Sequence, residues 1–279
     1  MNILSIDTST KNFSLAVSRN GRVARFRNIY LDKVLESSMI PAIDNILRDE
    51  GLKFKDLDGF AVGLGPGSFT SLRVGLSTVK AFALATAKPV VGISSLDVIA
   101  MNVIDEKVDE ICTIMDARRK QIYACIYSHC EELAPTGGDE AISSTEVRDC
   151  FALSQVVADR APRSATWRSR GRRNDGKVLK RKTDYLLTNL DDLLSQVHGK
   201  TLFIGDGITM HRNTIQKKYA EARKKGALCQ AAFASPKDWF PQAKKLAALA
   251  YGRFEKKEYD QSETLVPIYL YAQDCQVQK

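Results

Sequence analysis

The stretch Gly63-Leu-Gly-Pro-Gly-Ser-Phe-Thr-Ser-Leu-Arg-Val-Gly75 carries the strongest fold signal in this chain of 279 residues. It joins an apolar run at residues 60–64, typical of a buried strand, to residues 71–86, which are typical of a helix. The glycines allow a sharp turn between them. The N–H groups at the start of such a helix can hold a phosphate, helped by the helix dipole. The pattern is neither a P-loop nor a dinucleotide fingerprint, so a phosphate cradle and a turn without ligand both remain open.

Around this turn the hydrophobic pattern alternates between strand and helix periods. The dipeptide Asn20-Gly21 is typical of a two-residue hairpin turn, and Gly51 is placed to end a helix. The first half therefore predicts strands at residues 3–7, 13–19, 23–29, 59–64 and 89–93, and helices at residues 33–49 and 71–86.

The second half of the sequence repeats the first. Ile114-Met115-Asp116 is similar to Ser5-Ile6-Asp7, and residues 202–207 are similar to the strand and glycine turn at 62–67. Such self-similarity indicates an internal duplication. We therefore expect an α/β fold of two similar lobes with mixed sheets, which resembles the actin, sugar kinase and Hsp70 (ASKHA) class. The predicted lobes are 1–105 and 106–265, with a tail at 266–279 and a helix at 241–256 that packs back across the boundary.

Composition and charge narrow the function classes. The chain is 44% hydrophobic, lacks an apolar run of about 20 residues and begins directly with a strand, so we expect a cytoplasmic protein without a membrane partner. Its six cysteines are expected to stay reduced. The net charge is +8, but residues 160–182 hold ten Lys/Arg and one Asp, which leaves the remainder at −1.

The basic segment 160–182 has two interpretations. It is either a site for nucleic-acid phosphates, with Trp167 available for stacking, or a solvated part of an insertion. The insertion is predicted at residues 129–173, because strands at 121–128 and 177–185 would form an ordinary hairpin without it. We expect the insertion to be disordered or loosely packed, with a short helix at 144–157. The nucleic-acid candidates are Arg168, Arg170, Arg172 and Arg173.

Five ordered motifs across most of the chain resemble the TsaB family, also called YeaZ. These motifs are Ile6-Asp7-Thr8-Ser9-Thr10, Gly65 to Gly75, Met115-Asp116-Ala117-Arg118-Arg119, Gly205-Asp206-Gly207 and Pro267-Ile-Tyr-Leu270. The resemblance implies a bacterial accessory subunit, without activity of its own, in the synthesis of threonylcarbamoyladenosine at position 37 of tRNAs that read codons beginning with A. It implies TsaD and the ATPase TsaE as partners, tRNA contact through the complex, and a homodimer as an alternative assembly.

The resemblance and the residues together give a candidate nucleotide site. An aspartate after the first strand holds metal or water near a nucleotide phosphate in active ASKHA members, and Asp7 has the matching position. Thr8 replaces the usual glycine, and an Asx turn explains Asp7 equally well. For Asp116 we favour simple ion pairs with Arg118 and Arg119. The candidate nucleotide residues are Asp7, Thr8, Ser9, Thr10, Gly65, Gly67 and Ser68.

The same resemblance implies that helices 33–49 and 71–86 face a partner. The first helix departs from the family pattern, since Leu35-Glu36-Ser37 stands where a His-Ser-Glu triplet is common. The partner-interface candidates are Leu35, Met39, Ser71, Leu72, Arg73, Gly75, Leu76 and Val79.

No catalytic or metal-binding residue is predicted. The three histidines form no His-x-x-x-His pair, and no Gly-x-Ser-x-Gly elbow is present. We expect no cofactor for the chain alone, with ATP or ADP and Mg²⁺ bound in the complex. Two other functions remain open: an ASKHA-type ATPase or phosphotransferase, and a tRNA-binding module acting through the basic segment.

Overall fold

A computed structural model describes residues 1–30, 35–131, 166–168 and 177–271. Two mixed β-sheets and six α-helices form these parts of the chain. Within them, no helix has the length and apolar character needed to cross a membrane.

The first sheet has the strand order β3-β2-β1-β4-β5. The strands β1 to β3 are antiparallel neighbours, whereas β4 and β5 run parallel to β1. The elements are β1 (Asn2–Asp7), β2 (Asn12–Arg19), β3 (Arg22–Tyr30), α1 (Leu35–Asp49), β4 (Gly59–Gly63), α2 (Phe69–Thr86) and β5 (Val90–Ile93). All seven elements predicted for this half are present, within one or two residues at most ends.

Local turn chemistry explains the ends of these elements. Asn20 and Gly21 both have positive φ, 49° and 75°, as the two-residue hairpin turn requires. Gly51, with φ of 63°, follows α1, and the N–H of Leu52 donates to the carbonyl of Leu47 at 2.9 Å. This left-handed glycine ends the helix as predicted.

The second sheet has the order β12-β11-β6-β7-β9-β8, and β10 also pairs with β7. Its elements and the remaining helices are α3 (Ser95–Ala100), β6 (Glu110–Asp116), β7 (Ile122–Glu131), β8 (Thr166–Arg168), β9 (Lys177–Arg181), β10 (Leu186–Thr188), α4 (Leu190–Leu194), β11 (Lys200–Ile204), α5 (Ile208–Lys224), β12 (Gln230–Phe233) and α6 (Ala243–Glu255).

The predicted duplication is visible in strand directions. In each sheet the first strand pairs antiparallel with the second, and the second pairs antiparallel with a third. In each sheet the first strand also pairs parallel with a strand that is followed by a long helix, α2 or α5. The two-lobe α/β fold with mixed sheets is therefore confirmed.

The predicted hairpin around the insertion is confirmed in part. The strands β7 and β9 pair antiparallel, with Tyr127 opposite Arg181, but β7 continues to Glu131, beyond the expected start of the insertion. The predicted strand at 177–185 is shorter than expected, because β9 ends at Arg181. The strand β10 follows beyond the predicted range, and both strands pair with β7. The strand β8 was not predicted. The expected helix at 144–157 and most of the insertion lie outside the described residues.

Three apolar clusters show how the helices and the two sheets are layered. One cluster packs α1 and α2 on the outer face of the first sheet, and another packs α4 and α5 on the outer face of the second. Between the sheets lies the third cluster, which includes α3 and α6. The helix α6 therefore packs back against the first sheet as predicted, and its first N–H, from Ala243, donates to Ser14 Oγ of β2 at 2.7 Å.

Candidate functional site

The glycine turn between β4 and α2 packs directly against the loop that follows β1. The Ser68 N–H donates to the Ser9 carbonyl at 2.8 Å. A Cβ atom at Gly67 would lie 2.2 Å from that same oxygen, so only glycine permits the approach. The space beside Gly67 is thus filled by the protein's own backbone.

The other side of the turn is held by the start of α3. The Gly65 carbonyl accepts hydrogen bonds from the Ser95 N–H at 2.8 Å and the Ser94 hydroxyl at 3.1 Å. The Gly65 N–H in turn donates to Ser95 Oγ at 3.1 Å. Two of the N–H groups considered as phosphate donors, those of Gly65 and Ser68, therefore already have partners inside the chain.

Asp7 lies at the centre of this packing and is fully buried. Its Oδ1 accepts from the Ser9 N–H at 2.9 Å and the Ser9 hydroxyl at 2.7 Å, and its Oδ2 accepts from the Ser95 hydroxyl at 2.7 Å. Burial raises the pKa of Asp7, while the hydrogen bonds from Ser9 and Ser95 oppose the rise. Of the two interpretations left open, the geometry matches a turn aspartate that caps its own loop.

The remaining candidate nucleotide residues also bond within the chain. Thr8 Oγ1 donates to the Ser71 carbonyl at 2.8 Å, and the Thr10 hydroxyl bonds the backbone of Asn12. A Cβ at Gly75 would lie 2.2 Å from Thr8 Oγ1, so Thr8 fills the space beside α2. The structure brings the predicted set together as a packed cluster, and nucleotide binding there stays a prediction.

The predicted partner-interface set needs a correction. Six of its eight residues are buried, because the faces of α1 and α2 that carry them cover their own sheet. Their side chains are therefore not available at the surface of the chain. The six are Leu35, Met39, Leu72, Gly75, Leu76 and Val79. Ser71 is half-buried and Arg73 is exposed, so contact of these helices with a partner stays a prediction for their outer faces.

Arg73 belongs to an exposed cluster that the sequence analysis missed. Its guanidinium lies 4.0 Å from the centre of the Phe69 ring and donates to the Tyr269 hydroxyl at 3.1 Å. The two rings are 5.3 Å apart, and Phe69 and Tyr269 remain 41% and 39% exposed. The Ile268 N–H brings Tyr269 here by donating to the Leu64 carbonyl at 2.8 Å. Both aromatic residues were in quoted motifs, but no periodicity placed them beside Arg73.

The site in the second lobe that corresponds to the Asp7 site is more exposed to solvent. Asp206 Oδ1 accepts from the Asp116 N–H at 3.2 Å, and Asp116 Oδ1 accepts from the Arg118 N–H at 2.8 Å. Burial raises the pKa of Asp206, and the nearby charge of Asp116 raises it further. Asp116 makes no ion pair with Arg118 or Arg119 within the described residues, which corrects that expectation. The Asp116 carboxylate is bonded by the backbone N–H of Arg118, not by its guanidinium.

A second unpredicted cluster links the lobes through a buried carboxylate. The Tyr127 hydroxyl donates to Asp97 Oδ1 and the Tyr185 hydroxyl to Asp97 Oδ2, both at 2.7 Å. Burial raises the pKa of Asp97, against the two tyrosine hydrogen bonds and the charge of Arg181. The guanidinium of Arg181 lies 4.5 Å from the centre of the Tyr185 ring. This network joins α3, which follows the first sheet, to the second sheet.

Only part of the nucleic-acid candidate set lies within the described residues, and no metal ligand was predicted. Across residues 1–30, 35–131, 166–168 and 177–271 no group of three or more His, Cys, Asp or Glu is placed to hold a metal ion. Arg168 lies in β8, whereas Arg170, Arg172 and Arg173 lie outside the described residues. Two cations of the basic segment already have roles in the fold, because Arg181 is buried and the exposed Lys182 pairs with Glu110.

Comparison with known proteins identifies the family. A relative from Bacillus subtilis, the tRNA threonylcarbamoyladenosine biosynthesis protein TsaB, is 31% identical over 180 residues, which cover 64% of this chain and 69% of that protein. The chain belongs to the TsaB/YeaZ family. TsaB proteins of Haemophilus influenzae and Escherichia coli are each 31% identical over 44% and 47% of this chain, and these matches span 52% and 57% of those proteins. The TsaD family model, described as tRNA N6-adenosine threonylcarbamoyltransferase, matches residues 33–278.

Solved structures support the same fold. YeaZ from Pseudomonas aeruginosa superposes with a TM-score of 0.64 at 20% identity, covering 96% of this chain and 99% of that one. A second Pseudomonas aeruginosa structure, of a protein described as similar to peptidase YeaZ, has a TM-score of 0.65 at 20% identity and covers 97% and 99%. The two-lobe architecture is therefore the fold of TsaB/YeaZ proteins.

Proposed function

We propose that this chain acts in threonylcarbamoyladenosine synthesis as a non-catalytic partner subunit that supports TsaD. The role in the pathway follows from family membership, since relatives across three bacteria carry the name tRNA threonylcarbamoyladenosine biosynthesis protein TsaB. The assignment as a partner without activity of its own rests on the site.

The observation that carries the proposal is the packing around Asp7. Both carboxylate oxygens of Asp7 bond to serines of the chain. Cβ atoms at Gly63 and Gly75 would lie 1.9 Å from Asp7 Oδ2 and 2.2 Å from Thr8 Oγ1. A general base or metal ligand needs a carboxylate that faces substrate. The first-lobe cluster instead uses its polar groups to fix the start of α2.

The exposed N-terminal end of α2 has a composition that suits contact with a partner. Arg73, Phe69 and Tyr269 expose an arginine and two aromatic rings side by side. These residue types supply much of the binding energy in protein interfaces. We therefore place TsaD against this end of α2, with TsaE as a further component and a homodimer as the competing assembly. ATP or ADP and Mg²⁺ belong to the complex in this proposal.

The deciding experiment is reconstitution. TsaD, TsaE and the enzyme that supplies threonylcarbamoyl-adenylate are mixed with tRNA, and modification is measured with and without this chain. Modification that depends on the chain, together with no ATP turnover by the purified chain alone, is the expected result. Equal modification in both mixtures would remove the proposed role, and turnover by the chain alone would favour an ASKHA-type ATPase.

A further inference from the structure

The segment 267–271 is fixed to the first lobe at two places. The Ile268 N–H donates to the Leu64 carbonyl, just after β4, at 2.8 Å. The Tyr269 hydroxyl accepts a hydrogen bond from the Arg73 guanidinium of α2 at 3.1 Å. One backbone contact and one side-chain contact therefore hold the segment beside the glycine turn.

Two residues after this attachment, the same segment reaches the second lobe. The Tyr271 hydroxyl donates to the carbonyl of Ala117, which lies between β6 and β7. The Tyr271 ring also meets the Tyr123 ring edge to face, with the ring centres 6.1 Å apart. Leu270 and Tyr271 pack on the apolar cluster between the sheets. The segment thus bridges the two lobes, and its last contact is with the turn that begins at Ala117.

The turn between β6 and β7 has an unfavourable backbone conformation. Arg118, Arg119 and Lys120 have φ of 64°, 51° and 63°, in the left-handed region that residues with a Cβ rarely adopt. The hairpin turn at Asn20 and Gly21 has similar φ angles, 49° and 75°, but uses residue types that tolerate them. Three successive left-handed residues of other types persist only where their surroundings hold them.

Local hydrogen bonds hold this turn in part. The Gln121 N–H donates to the Arg118 carbonyl at 2.9 Å, and the Ala117 N–H donates to the Gln121 carbonyl at 3.0 Å. The side chains of the three left-handed residues are exposed, so their packing does not fix the turn. The Tyr271 hydroxyl adds a contact from a distant part of the chain.

We propose that residues 267–271 act as a strap, whose attachment to the first lobe controls the conformation of the β6–β7 turn in the second lobe. With the strap attached, Tyr271 holds Ala117 and the turn keeps its left-handed residues. When the strap detaches, the turn relaxes and its backbone strain is released. Because Tyr269 lies in both the strap and the proposed partner surface, a partner bound there would favour the attached state. Only this last consequence rests on the proposed function.

Hydrogen exchange of the purified chain, followed at single amides by NMR, tests the strap. The readout is the Gln121 amide, because its hydrogen bond to the Arg118 carbonyl closes the turn. Tyr271→Phe keeps the ring and removes the hydroxyl, so exchange at Gln121 should rise about 3- to 10-fold, as expected for the loss of one hydrogen bond. Tyr259→Phe, at an exposed tyrosine, is the control and should leave this exchange rate unchanged.

Two further variants distinguish a strap on a strained turn from an ordinary contact. Tyr269→Ala removes an attachment to the first lobe, and it should still raise exchange at Gln121 about 2- to 5-fold. Arg119→Gly removes the strain at one left-handed position, so in the Tyr271→Phe background it should lower the exchange rate about 5-fold. Arg119→Ala, which loses the same guanidinium but keeps a Cβ, should not lower it.

Three results would overturn the inference. The first is unchanged exchange at Gln121 in Tyr271→Phe. The second is a rise in Tyr271→Phe without any rise in Tyr269→Ala, because the first-lobe attachment would then have no effect on the turn. The third is an equal effect of Arg119→Gly and Arg119→Ala, because the turn would then hold no strain. Circular dichroism and thermal unfolding check that each variant folds. None of these measurements uses TsaD, so the strap can fail while the proposed function stands.

Discussion

Arg73 and Tyr269 are separated by 196 positions in sequence and are joined by a hydrogen bond of 3.1 Å from the guanidinium to the phenol oxygen. The contact unites the Gly65–Gly75 motif with the Pro267–Leu270 motif at one exposed place. A residue of the closing segment thus orients the arginine that we assign to the partner surface.

Substitution of Arg73 tests this assignment. Arg73→Ala should weaken binding to TsaD by about 10- to 30-fold, the loss typical of an interface arginine packed on an aromatic ring. Arg73→Lys should recover only part of the affinity, because lysine keeps the charge without the planar group. The measurement is isothermal titration of TsaD, and Arg22→Ala, at an exposed position on β3, is the control. Affinity equal to that of the control would place the interface elsewhere.

Gly75 and Thr8 provide a test of the packed turn. Gly75→Ala should lower the free energy of unfolding by about 1–3 kcal/mol, because the new Cβ would lie 2.2 Å from Thr8 Oγ1. The helix propensity of alanine, worth about 1 kcal/mol, offsets only part of this loss. In a Thr8→Ala background the loss should shrink, as urea unfolding of both single variants and the double variant will reveal.

Gly252 of α6 is the matched control for that experiment. A Cβ there would meet nothing within 4 Å, so Gly252→Ala should raise the free energy of unfolding by up to about 1 kcal/mol. If Gly75→Ala were stabilising as well, the space beside Thr8 would be open, and the case against a ligand there would lose its main support.

Asp7 predicts a specific dependence of stability on pH. Its pKa is raised in the folded state, so as pH rises the unfolded chain loses this proton at a lower pH than the folded chain does. The contribution of Asp7 is therefore fully present below its unfolded pKa and is lost as pH rises through its folded pKa. Asp7→Asn removes the titration and should become more stable relative to the unmodified chain as pH increases through that window.

Urea unfolding midpoints at pH 4 to 7 measure this difference, with exposed Asp58→Asn as the control. A constant difference between Asp7→Asn and the unmodified chain across the range would contradict the assigned titration. Retention of complex activity by Asp7→Asn would agree with a structural aspartate, whereas complete loss without loss of folding would favour the nucleotide site.

The buried Asp97 network should be important for stability. Asp97→Ala leaves the hydroxyls of Tyr127 and Tyr185 without their acceptor. The free energy of unfolding should fall by about 1–3 kcal/mol for each hydroxyl that loses its partner. Tyr185→Phe removes one donor and should lower the free energy of unfolding by about 1–2 kcal/mol. Both are measured by urea unfolding against Tyr30→Phe, since Tyr30 is exposed. Losses no larger than that of Tyr30→Phe would mean that the network contributes little to the folded state.

Local sequence patterns were sufficient to predict the seven elements of the first half and the internal repeat. Asn20-Gly21, Gly51 and the alternation of apolar residues act within a few positions, so their local conformations could be predicted from turn chemistry and periodicity. The glycine turn was also placed correctly between strand and helix. The family resemblance came from short motifs and was confirmed by a TsaB relative that is 31% identical over 180 residues.

The contacts that those motifs make depend on long-range packing, which the motifs themselves do not specify. The Asp7 partner Ser95 is 88 positions away, and the Arg73 partner Tyr269 is still more distant. Leu76 and Val79 were assigned to a partner, yet they cover the chain's own sheet, because helical spacing defines an apolar face without stating what covers it. Which groups bond to each other depends on the packing of distant segments, and a local sequence pattern does not specify that packing.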